Sequence, residues 1–336
     1  MKLTYVLLLL VALPTNLLAS ECDVSNYDWR ALEIVEQVEV LEREALHNAD
    51  EVYTTLLQEL PCKGTDPTNR AERTKQLQDC MLAMCAEGRV DVEDVFIKAL
   101  RTAIGSLDDN YAEVIQVAKL ETEEEPEAMT RVLSGAVLTV GPNQHLIIYM
   151  HLPHFTPCAV NAAIELMNKY PAALAVIVDL RGNIGGHTDA AFTLANALLT
   201  EGSLGCIVTS QGVRNCPEAS DDGVNSEWLL AVVLMDEHTA SASEVFIRAL
   251  DGNERLLEDG GSIGQPTHGK GIYQIINKTG QVVHLKYTAG HLEDPNGKKY
   301  HKVPFVPEIV VEDDPSTPFD EVVYAGLRAI TEYLED

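Results

Sequence analysis

Positive charge is what this sequence lacks most. Against 52 Asp and Glu it sets only 24 Lys and Arg, a formal net charge of −28. Such a surface repels phosphate backbones and anionic headgroups, so neither nucleic acid nor an anionic membrane is an expected partner. Long apolar runs are missing beyond the first twenty residues, so no later segment is expected to insert in a bilayer. Cys-x-x-Cys is absent too, and with it the common zinc and dithiol redox motifs.

Residues 1–20, MKLTYVLLLLVALPTNLLAS, place Lys2 ahead of a short apolar run, Tyr5–Leu13, and put Ala19 and Ser20 before the acidic Glu21. That is the pattern of a secretory signal peptide cleaved near Ala19 or Ser20, the run being short for an anchor. The mature chain is therefore expected to be secreted or periplasmic. All seven cysteines, Cys22, Cys62, Cys80, Cys85, Cys158, Cys206 and Cys216, lie beyond this leader. An oxidising compartment should pair some of them. Cys206 and Cys216 are close across an expected loop, and the first four are expected to staple the N-terminal region. The odd count leaves one free or paired between chains.

Apolar residues at helical spacing predict a helix over 28–60, ending at Pro61, then helices over Arg70–Ala86 and Val92–Ile104. Gly105–Asp109 reads as a turn, with a short helix after it. ETEEEPEA, Glu121–Ala128, is a linker by composition. The domains follow: a signal peptide at 1–20, a helical N-terminal domain at 21–120, an acidic linker at 121–136 and a second domain at 137–336. In that second domain strands (145–152, 174–180, 229–235, 272–276, 282–288) alternate with helices (159–170, 189–199, 241–250). This predicts an α/β fold with largely parallel pairing at its centre.

Three segments carry chemistry. Asp179–Gly186, DLRGNIGG, follows a buried strand; its glycines let backbone N–H groups approach a ligand, although an ordinary strand-to-helix turn has the same look. Thr239–Glu244, TASASE, opens a helix. Ser241 and Glu244 make a capping box that needs no catalysis, yet a helix-start serine also sits beside unpaired N–H groups able to hold an oxyanion. Thr267–Gln274, THGKGIYQ, sets Lys270 between two glycines ahead of a strand. A lysine turned into an apolar cleft loses charge and can take a proton from a serine hydroxyl.

Together the three segments resemble the C-terminal processing, or tail-specific, peptidases, which carry D-L-R-x-N-x-G-G, S-A-S-A-S-E and T-F-G-K-G followed by a Gln four residues after the Lys. Residues 100–108 (LRTAIGSLD) and 288–308 (TAGHLEDPNGKKYHKVPFVPE) are similar to family segments as well, so the likeness spans about residues 92–336. The resemblance implies a crotonase-like catalytic domain and a serine endopeptidase without a cofactor, acting on protein or peptide substrates. It assigns Ser241 as nucleophile, Lys270 as general base and Gln274 as the residue orienting the lysine. It assigns the N–H groups of Gly186 and Ala242 to the oxyanion hole, with Gly185 as the alternative.

The chain also departs from the family. His268 stands where a Phe is usual, Glu308 replaces an Asp, and Gly260–Ile263 reads as a short insertion. Where the family places a PDZ domain, only Asn110–Asn143 is present. Two other readings of the fold are an inactive peptide-binding scaffold and a crotonase-type acyl-transfer enzyme. His151, His154 and His187 are weak metal candidates, and His238 is a minor alternative base for Ser241. Asn277-Lys278-Thr279 fits a glycosylation sequon.

Overall fold

The computed structural model describes residues 35–41, 43, 49–62, 69–87, 92–106, 109–116, 134–141, 143–220, 229–277 and 283–335. The expected signal peptide, most of the acidic linker, Cys22 and the end of the sequon lie outside them. Helical turns at 35–41 are followed by α1 (Ala49–Glu59), α2 (Arg70–Ala86) and α3 (Val92–Gly105), close to the predicted helices.

The central sheet has six strands in the order β11 (Ile309–Val310), β8 (Ser262–Gly264), β7 (Leu230–Met235), β4 (Ala175–Asp179), β3 (His145–His151) and β2 (Ser134–Val140). All neighbours are parallel except the hairpin of β2 and β3. Both faces of its middle are covered, so β4 is buried at every residue and reads as one apolar run ending in Asp179. The two-residue side-chain period splits the core. Ile148, Met150, Val176, Val178, Ala231 and Val233 pack with α4 (Pro157–Lys169), α5 (Thr188–Asn196) and α6 (Ala242–Gly252). Ile147, Ala175, Ile177, Val232 and Leu234 pack on the other side with Val322, Ala329 and Ile330 of α7 (Glu321–Glu335). Each large aliphatic side chain removed from water there contributes about 1.5–3 kcal/mol.

The second sheet runs β1 (Glu113–Gln116), β10 (Val283–Glu293), β5 (Cys206–Thr209) and β6 (Arg214–Asn215), with β9 (Ile272–Asn277) also pairing with β10. Val283, Leu285, Tyr287 and Ala289 of β10 share one core with α1, α2 and α3. The N-terminal helices therefore close the second sheet and do not stand apart from it.

Three sequence expectations are corrected. The short helix after Asp109 is instead β1, held by antiparallel pairing of Glu113–Gln116 to Val283–Lys286. The stretch 121–136 is not linker to its end, because Ser134 already pairs with His151 in β2. Gly260–Ile263 is not an insertion. It leads into β8, an inner strand of the central sheet, and the N–H groups of Gly260 and Gly261 both donate to Glu308 Oε2 at 3.0 Å. Cys206–Cys216 is bonded as expected, Cys62–Cys80 is bonded within the N-terminal helices, and Cys158 is free and exposed. Among the described residues no helix is long and apolar enough to cross a membrane.

Candidate active site

The parallel strands β4 and β7 end side by side, and the turns that leave them are stitched together. Thr239 donates its hydroxyl to the Leu180 carbonyl at 2.9 Å, and the Ala240 N–H donates to the Asn183 carbonyl at 3.0 Å. Asn183 is wholly buried. Its amide donates to Leu152 O at 2.8 Å, its Oδ1 accepts the Gly185 N–H at 2.8 Å, and its carbonyl also accepts the Ser243 hydroxyl at 3.0 Å. A buried polar side chain satisfied this fully is a rigid support.

This stitching presses Gly185 onto the start of α6 and sets Gly186 against the Phe155 backbone. A Cβ at Gly185 would lie 2.8 Å from Ser241 Cβ, and one at Gly186, where φ is 144°, would lie 2.3 Å from Phe155 O. No larger residue fits either position. Among the described residues the N–H groups of Gly186 and Ala242 have no hydrogen-bond partner, whereas that of Gly185 is spent on Asn183. The two glycines that the sequence left as alternatives thus differ in whether their N–H is already engaged.

Ser241 is the N-cap of α6 with φ 58° and ψ −117°, a left-handed backbone rare for serine and costing about 1–3 kcal/mol. What holds it there is Glu244, the other half of the capping box. Glu244 is completely buried, and its Oε2 accepts the Ser241 N–H at 3.0 Å. The same oxygen accepts the Lys270 N–H at 2.7 Å. Oε1 accepts the Gly269 N–H at 2.8 Å and the Thr267 hydroxyl at 2.6 Å. One carboxylate on α6 thereby fixes the serine segment and the lysine segment to each other. The capping box was legible in the sequence; its reach to residues 267–270, across the start of β9, was not.

Lys270 is half-buried. Burial, and next the charge of Lys286, push its ammonium below the ordinary lysine range, while Asp109 and Glu244 oppose the shift. Its Nζ lies 5.3 Å from the centre of the Tyr111 ring and makes no hydrogen bond to Ser241 or Gln274. Gln274 instead donates its amide to the Tyr111 carbonyl at 3.0 Å. Asp109 anchors this corner: it accepts the N–H and hydroxyl of Thr288 and the N–H of Tyr111, each at 3.0 Å. Sequence reasoning passed over Tyr111 and Asn183.

The remaining candidates do not join this cluster. His268 is exposed, its N–H donating to Thr239 O. His238 is exposed and lies 3.7 Å from Glu237. His151 contacts the Arg181 carbonyl, and among the described residues no group of three ligand-type side chains could hold a metal. Asp179 and Arg181 of the first motif are structural. Arg181 bridges Asp179 and Asp320, tying the end of β4 to the start of α7. They line a cavity of about 490 Å³ with Tyr149, His151 and Gln265, and neither Ser241 nor Lys270 borders it.

Residues 146–311 match peptidase family S41. A chloroplastic C-terminal processing peptidase of Tetradesmus obliquus is 30% identical over 54% of this chain and 39% of its own length. A carboxyl-terminal-processing protease of a Synechocystis strain is 30% identical over 52% of this chain and 40% of its own length. The chain thus covers about two fifths of these relatives. Among solved structures, a photosystem II D1 C-terminal processing protease superposes with a TM-score of 0.58 at 17% identity, covering 90% of this chain and 97% of that one. A lipoprotein from Streptococcus agalactiae gives 0.57 at 14% identity, over 95% and 99% of the two chains. These two likenesses establish the fold.

Proposed function

From the match of residues 146–311 to peptidase family S41, we propose that the chain is a secreted serine endopeptidase working by a serine–lysine dyad. Ser241 attacks the scissile carbonyl and Lys270 is the general base. Gln274 orients the lysine amine, and the N–H groups of Gly186 and Ala242 hold the oxyanion. The observation that carries this reading is the Glu244 carboxylate, which binds the Ser241 and Lys270 backbones through one oxygen. It gives a reason for the two segments to be presented together.

The steps follow from the groups present. Neutral Lys270 takes the hydroxyl proton as Ser241 Oγ bonds to the carbonyl carbon, and the negative charge moves to the oxygen. Two backbone N–H groups without other partners suit that charge, since they need no reorientation when it forms. Collapse expels the amine, which receives the proton from Lys270, and water then releases the acyl group by the same route reversed. Lys270 must carry no proton at the outset, which its burial favours.

Protein or peptide substrates outside the cytoplasm fit two bonded cysteine pairs. The relatives' names speak of processing at carboxyl termini. The interval Asn110–Asn143 is short for a PDZ module, and on that ground selection by a free carboxylate is left out of the proposal. The test is mass spectrometry of a peptide library incubated with the purified chain and with Ser241→Ala. Internal cleavage by the wild type alone is expected. Cleavage that survives in Ser241→Ala, or none by the wild type from neutral to alkaline pH, overturns the assignment.

A further inference from the structure

Both groups that serve the nucleophile are held by a single residue outside the matched segment. The Lys270 amine faces the Tyr111 ring at 5.3 Å, within the range where an aromatic face attracts a cation. The Gln274 amide is bound by the carbonyl of the same residue. Tyr111 owes its place to Asp109, which clamps the chain onto Thr288, and its ring also meets the His301 ring in a T-shaped contact at 5.9 Å. We propose that Tyr111 is a positioning residue for the proposed site, its ring holding the Lys270 amine and its carbonyl the Gln274 amide. This rests on the peptidase reading for its relevance, not for its physics.

The consequence is a division of labour around the base. Burial and Lys286 on β10 favour the neutral amine. The ring favours the ammonium, as do Asp109 before β1 and Glu244 on α6. His301, in contact with the Tyr111 ring, has its own ionisation held down by burial and by Lys302. Tyr111 therefore keeps the resting lysine more protonated than burial alone would leave it.

Tyr111→Leu removes the aromatic face and keeps an apolar side chain at a half-exposed position. Tyr111→Phe keeps the face. The primary measurement is a 13C NMR titration of lysine-labelled full-length protein, the Lys270 resonance assigned by its absence in Lys270→Arg. It needs no turnover. The midpoint is expected to fall by roughly half a unit to one unit in Tyr111→Leu and to stay in place in Tyr111→Phe. With peptide substrate, the acid limb of kcat/KM should move the same way, with KM unchanged. A Lys270 midpoint in Tyr111→Leu equal to wild type overturns the proposal. If that variant does not fold, Tyr111→Trp decides: a midpoint at or above wild type supports the proposal, and a fall overturns it. Hydrolysis by Ser241→Ala would overturn the peptidase reading and leave this titration result standing.

Discussion

Replacing Glu244 by Gln tests the clamp that joins the proposed nucleophile, Ser241, to the proposed base, Lys270. The wild-type carboxylate faces four donors and no acceptor: the N–H groups of Ser241, Gly269 and Lys270 and the Thr267 hydroxyl. A glutamine can offer its oxygen to one pair only. Turned toward Ser241 and Lys270, its –NH2 meets Thr267, whose hydroxyl can reverse, and Gly269, whose N–H cannot. The opposite orientation leaves both the Ser241 and Lys270 N–H groups facing a donor and is worse. In the better orientation one buried N–H is orphaned, at about 1–3 kcal/mol, and the two retained bonds lose their charge assistance. The sum is on the order of 3 kcal/mol, which lowers Tm by roughly 6–12 °C in a domain of this size. Because Ser241 and Lys270 keep an acceptor, kcat should fall only about tenfold. Glu244→Leu offers no acceptor at all and should lose measurable turnover. Calorimetry and peptide hydrolysis on the three proteins make the comparison. A Gln variant with wild-type Tm and kcat, or one as inactive as Leu, refutes the clamp.

Ser241→Gly should raise Tm while eliminating hydrolysis, since glycine accepts the positive φ without strain; an unchanged or lower Tm contradicts the strain argument. Lys270→Met should stabilise the protein at neutral pH. Below the folded-state pKa both folded and unfolded chains carry the proton, so the cost of burying the ammonium is fully present. It fades as pH rises past the lowered folded pKa toward the ordinary 10.5, and the stabilisation by Met should fade with it. A gain that stays constant from neutral pH to that point counts against a depressed Lys270. Matched peptides ending in a carboxylate and in an amide should be cut at similar rates, and a large preference for the free acid would return a carboxylate receptor to the molecule.

The parallel centre of the fold was readable because β4 and β7 are short apolar runs followed by helices, the only pattern a strand covered on both faces can show. The three chemical segments were readable because backbone demands are written locally: glycines at close approaches, a serine and glutamate at a helix start. Strands that exist only through distant partners were not. Glu113–Gln116 has strand formers only in Val114 and Ile115, too short a run to declare itself, and it is extended because β10 pairs with it. Ser262–Gly264 is three residues long and was hidden among glycines. The C-terminal helix did leave a signal, Val322, Gly326, Ala329 and Ile330 on one face, that went unread. Asn183, Tyr111 and the reach of Glu244 to residues 267–270 escaped for one reason. Each acts on residues far along the chain, and no window of sequence contains both ends of such a bond.

The shared core of the N-terminal helices and β10 has a practical consequence for anyone trimming this protein. The stretch recognisable as a peptidase domain begins at residue 146, and a truncation there looks natural. Such a fragment would lay bare Val283, Leu285, Tyr287 and Ala289, strip β10 of its β1 partner, and delete Asp109 and Tyr111 from beside Lys270. It would be prone to stick to other chains along an open strand edge, with Lys270 unsupported. The unit of inheritance and the unit of folding have different ends here, and expression of the matched half calls for the helices that precede it.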